Sequence, residues 1–344
     1  MGGGAGAYDG ERTGRRRARR KRTGVGWMRR LILGLMLLIT ACVLGIPYLM
    51  ERLSPVKIRP QPVRVRVYVH ETGQIVSLPL EDYVVGVVAA EMPASFPAEA
   101  LKAQAVAART FIVGRLTGEY PAAGPRPGAD ISDDHRDGQA WISRTEMRRR
   151  WGFWGYYEYY YKIRRAVEQT AGQVLVYRGR LIDPAYFASC GGLGTESAAT
   201  VWQCDEPYLE RVDCPYDADP RPVRRVTMPL AQVERLLGVP SVAAESSPGG
   251  VRVLARTPGG RVQSIALGGR ILAGTAVRDL LGLRSTAFDL QIKGDRVEIT
   301  TRGYGHAVGM CQYGAAGYAR HGYSYAQILH HYYTGVDIVR LQDR

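Results

Sequence analysis

Glu91 closes the run VVGVVAAEMPASFP, so its carboxyl group is surrounded in sequence by Val, Ala, Met, Phe and two prolines. A poorly hydrated carboxyl group holds its proton more tightly than one in water, which suits a general acid working near neutral pH. A helix cap or an ion pair with Lys102 would explain the same residue without chemistry. Lys102 and Arg109 lie seven residues apart in an Ala-rich stretch and share a helix face with Ala105 between them. Two cations across an Ala surface would hold an anionic or polyhydroxylated ligand beside Glu91. A solvated helix face accounts for them equally well.

Two further segments combine polar groups with glycine. RGYGHAVGMCQYGAAG (302–317) interleaves Tyr304, His306, Gln312 and Tyr313 with five glycines, and glycine permits close backbone approach to a ligand. The segment does not have the spacing of a dinucleotide or phosphate loop, and a strained turn entering a helix is the plainer reading. CGGLGTESAATVWQCDEPYL contributes Thr195, Glu196, Ser197 and Tyr208. The spacings of Cys190, Cys204 and Cys214 match no compact zinc motif, so a structural disulfide is expected among Cys190, Cys204, Cys214 and Cys311, in a pairing that spacing leaves open. His330 and His331 are adjacent on a helix and point apart, which disfavours a shared metal. The aromatic run 151–161 reads chiefly as packing material.

These residues need elements to hold them. PAEALKAQAVAARTFIVGRL (97–116) is the clearest helix, with Ser95 as cap and Pro97 in its first turn. A second helix is expected over 144–170, a strand where Val63, Val65, Val67 and Val69 alternate with polar residues, a hairpin turning at Arg178-Gly179, and a closing helix over 324–333. Residues 221–300 read as a β-rich subdomain with one small helix, and no internal repeat is evident. Strands mixed irregularly with helices indicate an α+β fold.

The formal net charge of +14 suggests a polyanion partner until it is located. Residues 1–30 carry ten Lys/Arg against Asp9 and Glu11, leaving +6 on everything else, so a nucleic-acid partner is not expected. Leu31–Met50 is uncharged and of the length that crosses a bilayer. The organisation expected is a basic cytoplasmic tail (1–30), a single transmembrane helix (31–50), a Pro-containing linker (51–62) and a mixed α/β extracytoplasmic domain (63–340) with a β-rich insertion. That makes a single-pass cell-membrane protein with its N-terminus inside. A cleaved signal peptide and lipid attachment at Cys42 are the alternatives.

SLPLEDYVVGVVAAEMPASFPAEALKAQAVAARTF, DISDDHRDGQAW, YFASCGGLGTESAATVW with PYLERVDCPYD, and GYGHAVGMCQYGAAGYA, in that order, strongly resemble the stage II sporulation protein D family. The resemblance implies a lytic transglycosylase that cleaves peptidoglycan glycan strands stripped of stem peptides during engulfment in sporulation. It also implies two partners: a stage II sporulation protein P amidase and a multispan membrane protein. It places the catalytic glutamate on Glu91 and substrate-binding residues on Lys102, Arg109, Thr195, Tyr208, His306, Gln312 and Tyr313. Some relatives bind zinc through cysteines and a histidine in the polar loop, where this chain keeps only His135, so no metal and no cofactor are expected. Amidase enhancers resemble the same domain, and a non-catalytic glycan-binding enhancer of an amidase is the alternative function.

Overall fold

The computed structural model describes residues 25–53, 63–120, 126–239 and 251–341, and the chain divides into two compact units, 1–60 and 61–344. In the first unit, helix α1 spans Val25–Leu53. Among the described residues no helix is long and apolar enough to cross a membrane. This corrects the expected transmembrane helix and single-pass membrane location. Residues 1–24 and 54–62, where most of the basic tail and the linker fall, lie outside the described residues.

The second unit is α+β. In β1 (Arg64–Val69) the alternation holds from Arg64 to Val67, with Val65 and Val67 buried and Arg64 and Arg66 exposed, and breaks at Tyr68, which is buried although it was expected on the polar face. The strand pairs with β2 (Gln74–Pro79) antiparallel and β3 (Ile131–Ser132) parallel. Helix α2 (Leu80–Glu91) is apolar on nearly every face and correspondingly buried. Pro97 is the residue preceding α3 (Ala98–Leu116) rather than part of its first turn, and no side chain caps this helix, so Ser95 does not have the capping role expected of it. Small side chains at Ala100, Ala103, Ala105, Ala107 and Ala108 are all buried, which lets α3 act as the central rod. Around it pack α2, α4 (Arg144–Gln169), α8 (Gln312–Arg320) and α9 (Tyr325–Tyr332).

Ser143 caps α4 by accepting a hydrogen bond from the Glu146 N–H at 3.1 Å, but Gly152, at φ 67, breaks it into two helices. The aromatic run divides accordingly. Tyr156 and Tyr160 stack in the core, whereas Phe153, Trp154, Tyr157 and Tyr161 are exposed. The hairpin of β4 (Gln173–Tyr177) and β5 (Arg180–Leu181) turns at Arg178-Gly179, and β4 also pairs with β14 (Asp337–Arg340). The short strands β6 (Tyr186–Phe187) and β13 (Met310–Cys311) run parallel. A one-turn helix, α5 (Ala198–Trp202), follows β6.

The β-rich region has its own apolar core and an internal symmetry that the sequence reading missed. One half is β7 (Val223–Pro229), α6 (Leu230–Leu237), β8 (Val251–Arg256) and β9 (Val262–Leu267); the other is β10 (Arg270–Ala273), α7 (Gly274–Leu281), β11 (Phe288–Lys293) and β12 (Arg296–Arg302). Each half gives its first strand to the other's hairpin, so the sheets are ordered β11-β12-β7 and β10-β9-β8. The only sequence trace is VERLLG (233–238) against VRDLLG (277–282). Val233, Leu237, Val277 and Leu281 are buried, and Gly238 and Gly282 end their helices at φ 62 each.

A left-handed backbone disfavours any Cβ. We therefore expect Gly238→Ala and Gly282→Ala each to lower stability by about 1–2 kcal/mol in urea unfolding, with similar losses from both because the positions are equivalent.

Candidate active site

Glu91 is the last residue of α2, the end at which the helix dipole disfavours a carboxylate. Burial raises its pKa above the ordinary carboxylate value; the opposing effects, in decreasing order, are hydrogen bonds from the Ala140 N–H and Gln312 and the nearby charge of His135. The Ala140 N–H reaches Oε1 at 2.7 Å, and Gln312 Nε2 lies 3.5 Å from Oε2. The first of these contacts depends on Gly86. A Cβ there would collide with the Trp141 ring, and the Gly86 carbonyl accepts from Ile142 N–H at 3.3 Å, so the missing side chain lets the segment 139–142 lie against α2.

Polar residues surround the carboxyl group. Gln139 donates to the Tyr83 hydroxyl at 2.9 Å and accepts from Tyr186 at 2.9 Å, and Gln312 donates to Gln104 Oε1 at 3.3 Å. Burial pushes both tyrosine pKa values up, and the Glu91 charge raises each further. Sequence reasoning singled out none of Tyr83, Gln104, Gln139 or Tyr186 as a site residue. The motif GQAW inside the polar loop was the available signal for Gln139.

Of the residues expected at the site, Gln312 reaches Glu91, and Tyr313 follows it on α8 in edge contact with Phe96, ring centroids 5.1 Å apart. Tyr313 also lines a cavity of about 810 Å³ together with Arg221, Arg224, Arg278, Arg284 and Tyr304. Glu91 does not line that cavity; Tyr313 is its link to the carboxyl group through the neighbouring Gln312.

Other residues have different partners. Lys102 pairs with Glu99 at 2.6 Å and sits over Tyr325, not beside Glu91. Arg109 is fully buried and forms a two-point ion pair with Glu81 at 2.6 and 2.9 Å, with further bonds to the Val167 and Gln173 carbonyls. It ties α3 to α2 and to the α4–β4 connection, so the two cations do not form the expected face. The Thr195 hydroxyl accepts from the Val212 N–H at 2.8 Å and braces a loop. Glu196 is buried against Arg261, fastening the β-rich region. Buried Tyr208 accepts from the Asp183 N–H at 3.1 Å.

His306 packs against Phe187 and Trp202. Its Nδ1 accepts from the Val308 N–H at 3.2 Å, which leaves Nε2–H to donate to the Tyr186 carbonyl at 3.1 Å. Burial lowers its pKa to about 4, so the ring is neutral and both nitrogens are engaged. Among the described residues there is no disulfide: Cys42, Cys190, Cys204, Cys214 and Cys311 are all free, contrary to the bridge expected.

The family model for SpoIID, stage II sporulation protein, matches residues 68–177. Stage II sporulation protein D of Bacillus amyloliquefaciens is 40% identical over 282 residues, covering 82% of this chain and 80% of the relative. Its namesake from Bacillus subtilis (strain 168) is 37% identical over the same coverage. The chain belongs to the stage II sporulation protein D family. The family match spans Glu91, the polar loop and α3, so it covers the carboxyl group and its Ala140 contact but not Gln312. The chain is also related to the Amidase enhancer of Bacillus subtilis (strain 168), at 28% identity over 74% of this chain and 40% of that protein.

Because His306 is held neutral in the fold, acid favours the unfolded chain, where histidine protonates near 6.5. The stability it contributes is full above about pH 6.5 and is lost as pH falls towards 4. NMR of the imidazole nitrogens should show His306 essentially neutral between pH 6 and 8, with its midpoint well below 6.5, whereas a midpoint near 6.5 would contradict this placement.

Proposed function

We propose that this chain is a lytic transglycosylase that cleaves peptidoglycan glycan strands with Glu91 as its one acid and base. The observation that carries the reading is a partly exposed carboxyl group whose proton affinity is raised by burial and which is held by the Ala140 N–H at 2.7 Å and Gln312 at 3.5 Å. Hydrolysis of a glycoside generally calls on two carboxyl groups, one to protonate the leaving oxygen and one to activate water or form an adduct. An intramolecular attack needs only one, because the substrate carries its own nucleophile.

The steps balance around a single proton. The Ala140 N–H occupies Oε1, so the acidic proton resides on Oε2. Oε2 gives that proton to the glycosidic oxygen as the bond to the muramic acid C1 breaks. The C6 hydroxyl oxygen of the same sugar then bonds to C1, and its proton returns to Oε2, leaving a 1,6-anhydro end. His306 takes no part, since neither ring nitrogen is available.

The arginine-lined cavity supports a preference for strands without stem peptides. Removing the peptide leaves a free lactyl carboxylate on each muramic acid, and Arg221, Arg224, Arg278 and Arg284 supply cations for such groups. An amidase acting beforehand, of the stage II sporulation protein P type, would supply this substrate, and a multispan membrane protein completes the proposed partnership in sporulation. A second reading, a glycan-binding enhancer of a cell-wall amidase, rests on the relationship to the Amidase enhancer.

The two readings separate on product. Incubated with amidase-treated glycan strands, the chain should yield 1,6-anhydromuramic ends by mass spectrometry, and Glu91→Gln should lower the rate by at least about 100-fold, the scale of a lost general acid. Absence of anhydro product, with amidase activity nevertheless enhanced, would favour the binding module.

A further inference from the structure

Cys190, Cys214 and Cys311 come from three separate parts of the chain: the segment after β6, the loop before β7, and the end of β13. All three are buried, and their sulfur atoms lie within 4.8 Å of one another. A fourth donor adjoins them. Asp217 Oδ2 is 3.0 Å from Cys190 Sγ and 3.6 Å from Cys311 Sγ. We propose that these four side chains form a structural site for a thiophilic divalent cation, zinc in the first instance, that locks the loop 190–217 to the start of α8.

The dimensions fit. Four ligands placed tetrahedrally at a zinc–sulfur bond of about 2.3 Å put sulfurs about 3.8 Å apart, so shifts of under about 1 Å close the cluster on an ion. The surroundings favour anionic sulfur. Cys311 Sγ accepts from the backbone N–H groups of Cys190 and Gly314, each at 3.3 Å, at the N-terminus of α8. The Tyr332 hydroxyl lies 3.0 Å from Cys214 Sγ. Such hydrogen bonds to ligating sulfur are the supporting layer a metal site requires. A Cβ at Gly314 would collide with Cys214 Sγ, so glycine at this position is what admits the third sulfur.

Alternative uses of the three thiols fit less well. A disulfide pairs two sulfurs and leaves the third unused, whereas a metal engages all three, with Asp217 oriented toward them by the Gly191 N–H at 2.8 Å and the Ser189 hydroxyl at 3.0 Å. Three packed thiols serving as core filler would not need two backbone donors directed at one sulfur. A tetrahedral thiolate-rich donor set selects zinc over calcium or magnesium, which prefer all-oxygen shells. Binding transfers the thiol protons to solvent and leaves the sulfurs as anionic ligands. The site runs against the sequence expectation of no metal, because the ligands are 24 and 97 residues apart and match no spacing motif. It uses neither Glu91 nor the polar loop, and it braces the residue immediately before Gln312.

The test is made on the full-length chain. Purified without chelator from zinc-containing medium, it should carry about one zinc per chain by elemental mass spectrometry. Cobalt(II) added to the metal-depleted chain should give a sulfur-to-metal charge-transfer band and the intense visible bands of tetrahedral coordination. Both readouts should be unchanged in Cys204→Ser, whose thiol is exposed, and absent in the combined Cys190→Ser, Cys214→Ser and Cys311→Ser variant. The wild-type chain decides even if that variant fails to fold. Less than a tenth of an equivalent of zinc with no cobalt charge-transfer band would overturn the proposal. So would a mass deficit of two hydrogens mapped to a bridge between two of these cysteines.

Discussion

The arrangement depends on one electrostatic conflict, a carboxyl group placed where a carboxylate is poorly accommodated. Glu91 sits at the carbonyl end of an almost wholly apolar helix, and burial is the largest influence on its proton affinity. One backbone N–H at 2.7 Å and one glutamine at the limit of hydrogen bonding hold it without a fully formed ion pair. A strong cationic partner would have kept it ionised and removed the acid. The buried Arg109 is directed elsewhere, neutralised by Glu81 a full helix length from Glu91.

Several packing features serve that arrangement. Gly86 admits the Trp141 ring and so brings the Ala140 N–H to Oε1. The alanines of α3 let α2, α4, α8 and α9 approach one rod, and α8 begins with the residue that reaches Oε2. Core packing and site geometry are therefore the same set of contacts viewed from two sides. A change in the α3 surface would reach Glu91 through α8, whose Gln312 touches both Gln104 and Glu91.

Much of the fold was legible from local pattern. The α3 helix, the β1 strand and the Arg178-Gly179 turn each depend on residues adjacent in sequence, and each formed, although α3 starts one residue after Pro97 without the Ser95 cap and β1 buries Tyr68 as well as Val65 and Val67. What escaped depends on distant residues or on single backbone angles. The β-rich symmetry survives mainly as two six-residue segments, because exchanged strands constrain hydrogen-bonding pattern more than side-chain identity. Gly152 was read as part of a continuous helix, although its left-handed backbone bends the chain there. The uncharged run after Arg30 was read as a membrane span from its length and lack of charge, but among the described residues no helix is long and apolar enough to cross a membrane. At the site, Glu91 stood out because its apolar neighbours are contiguous. Arg109 misled because its partner Glu81 is 28 residues away, and the thiol cluster was invisible because its members meet only in three dimensions.

The account stands or falls on the protonation of Glu91. Carbon-13 NMR of the glutamate side-chain carboxyl carbons, with Glu91→Gln identifying the resonance, reads it directly. The account predicts a midpoint above that of ordinary glutamates in the same spectrum, with the carboxyl group still partly protonated when those have ionised. A Glu91 midpoint at or below theirs would show that the Ala140 and Gln312 contacts outweigh burial, and the single-acid mechanism would then lose its physical basis.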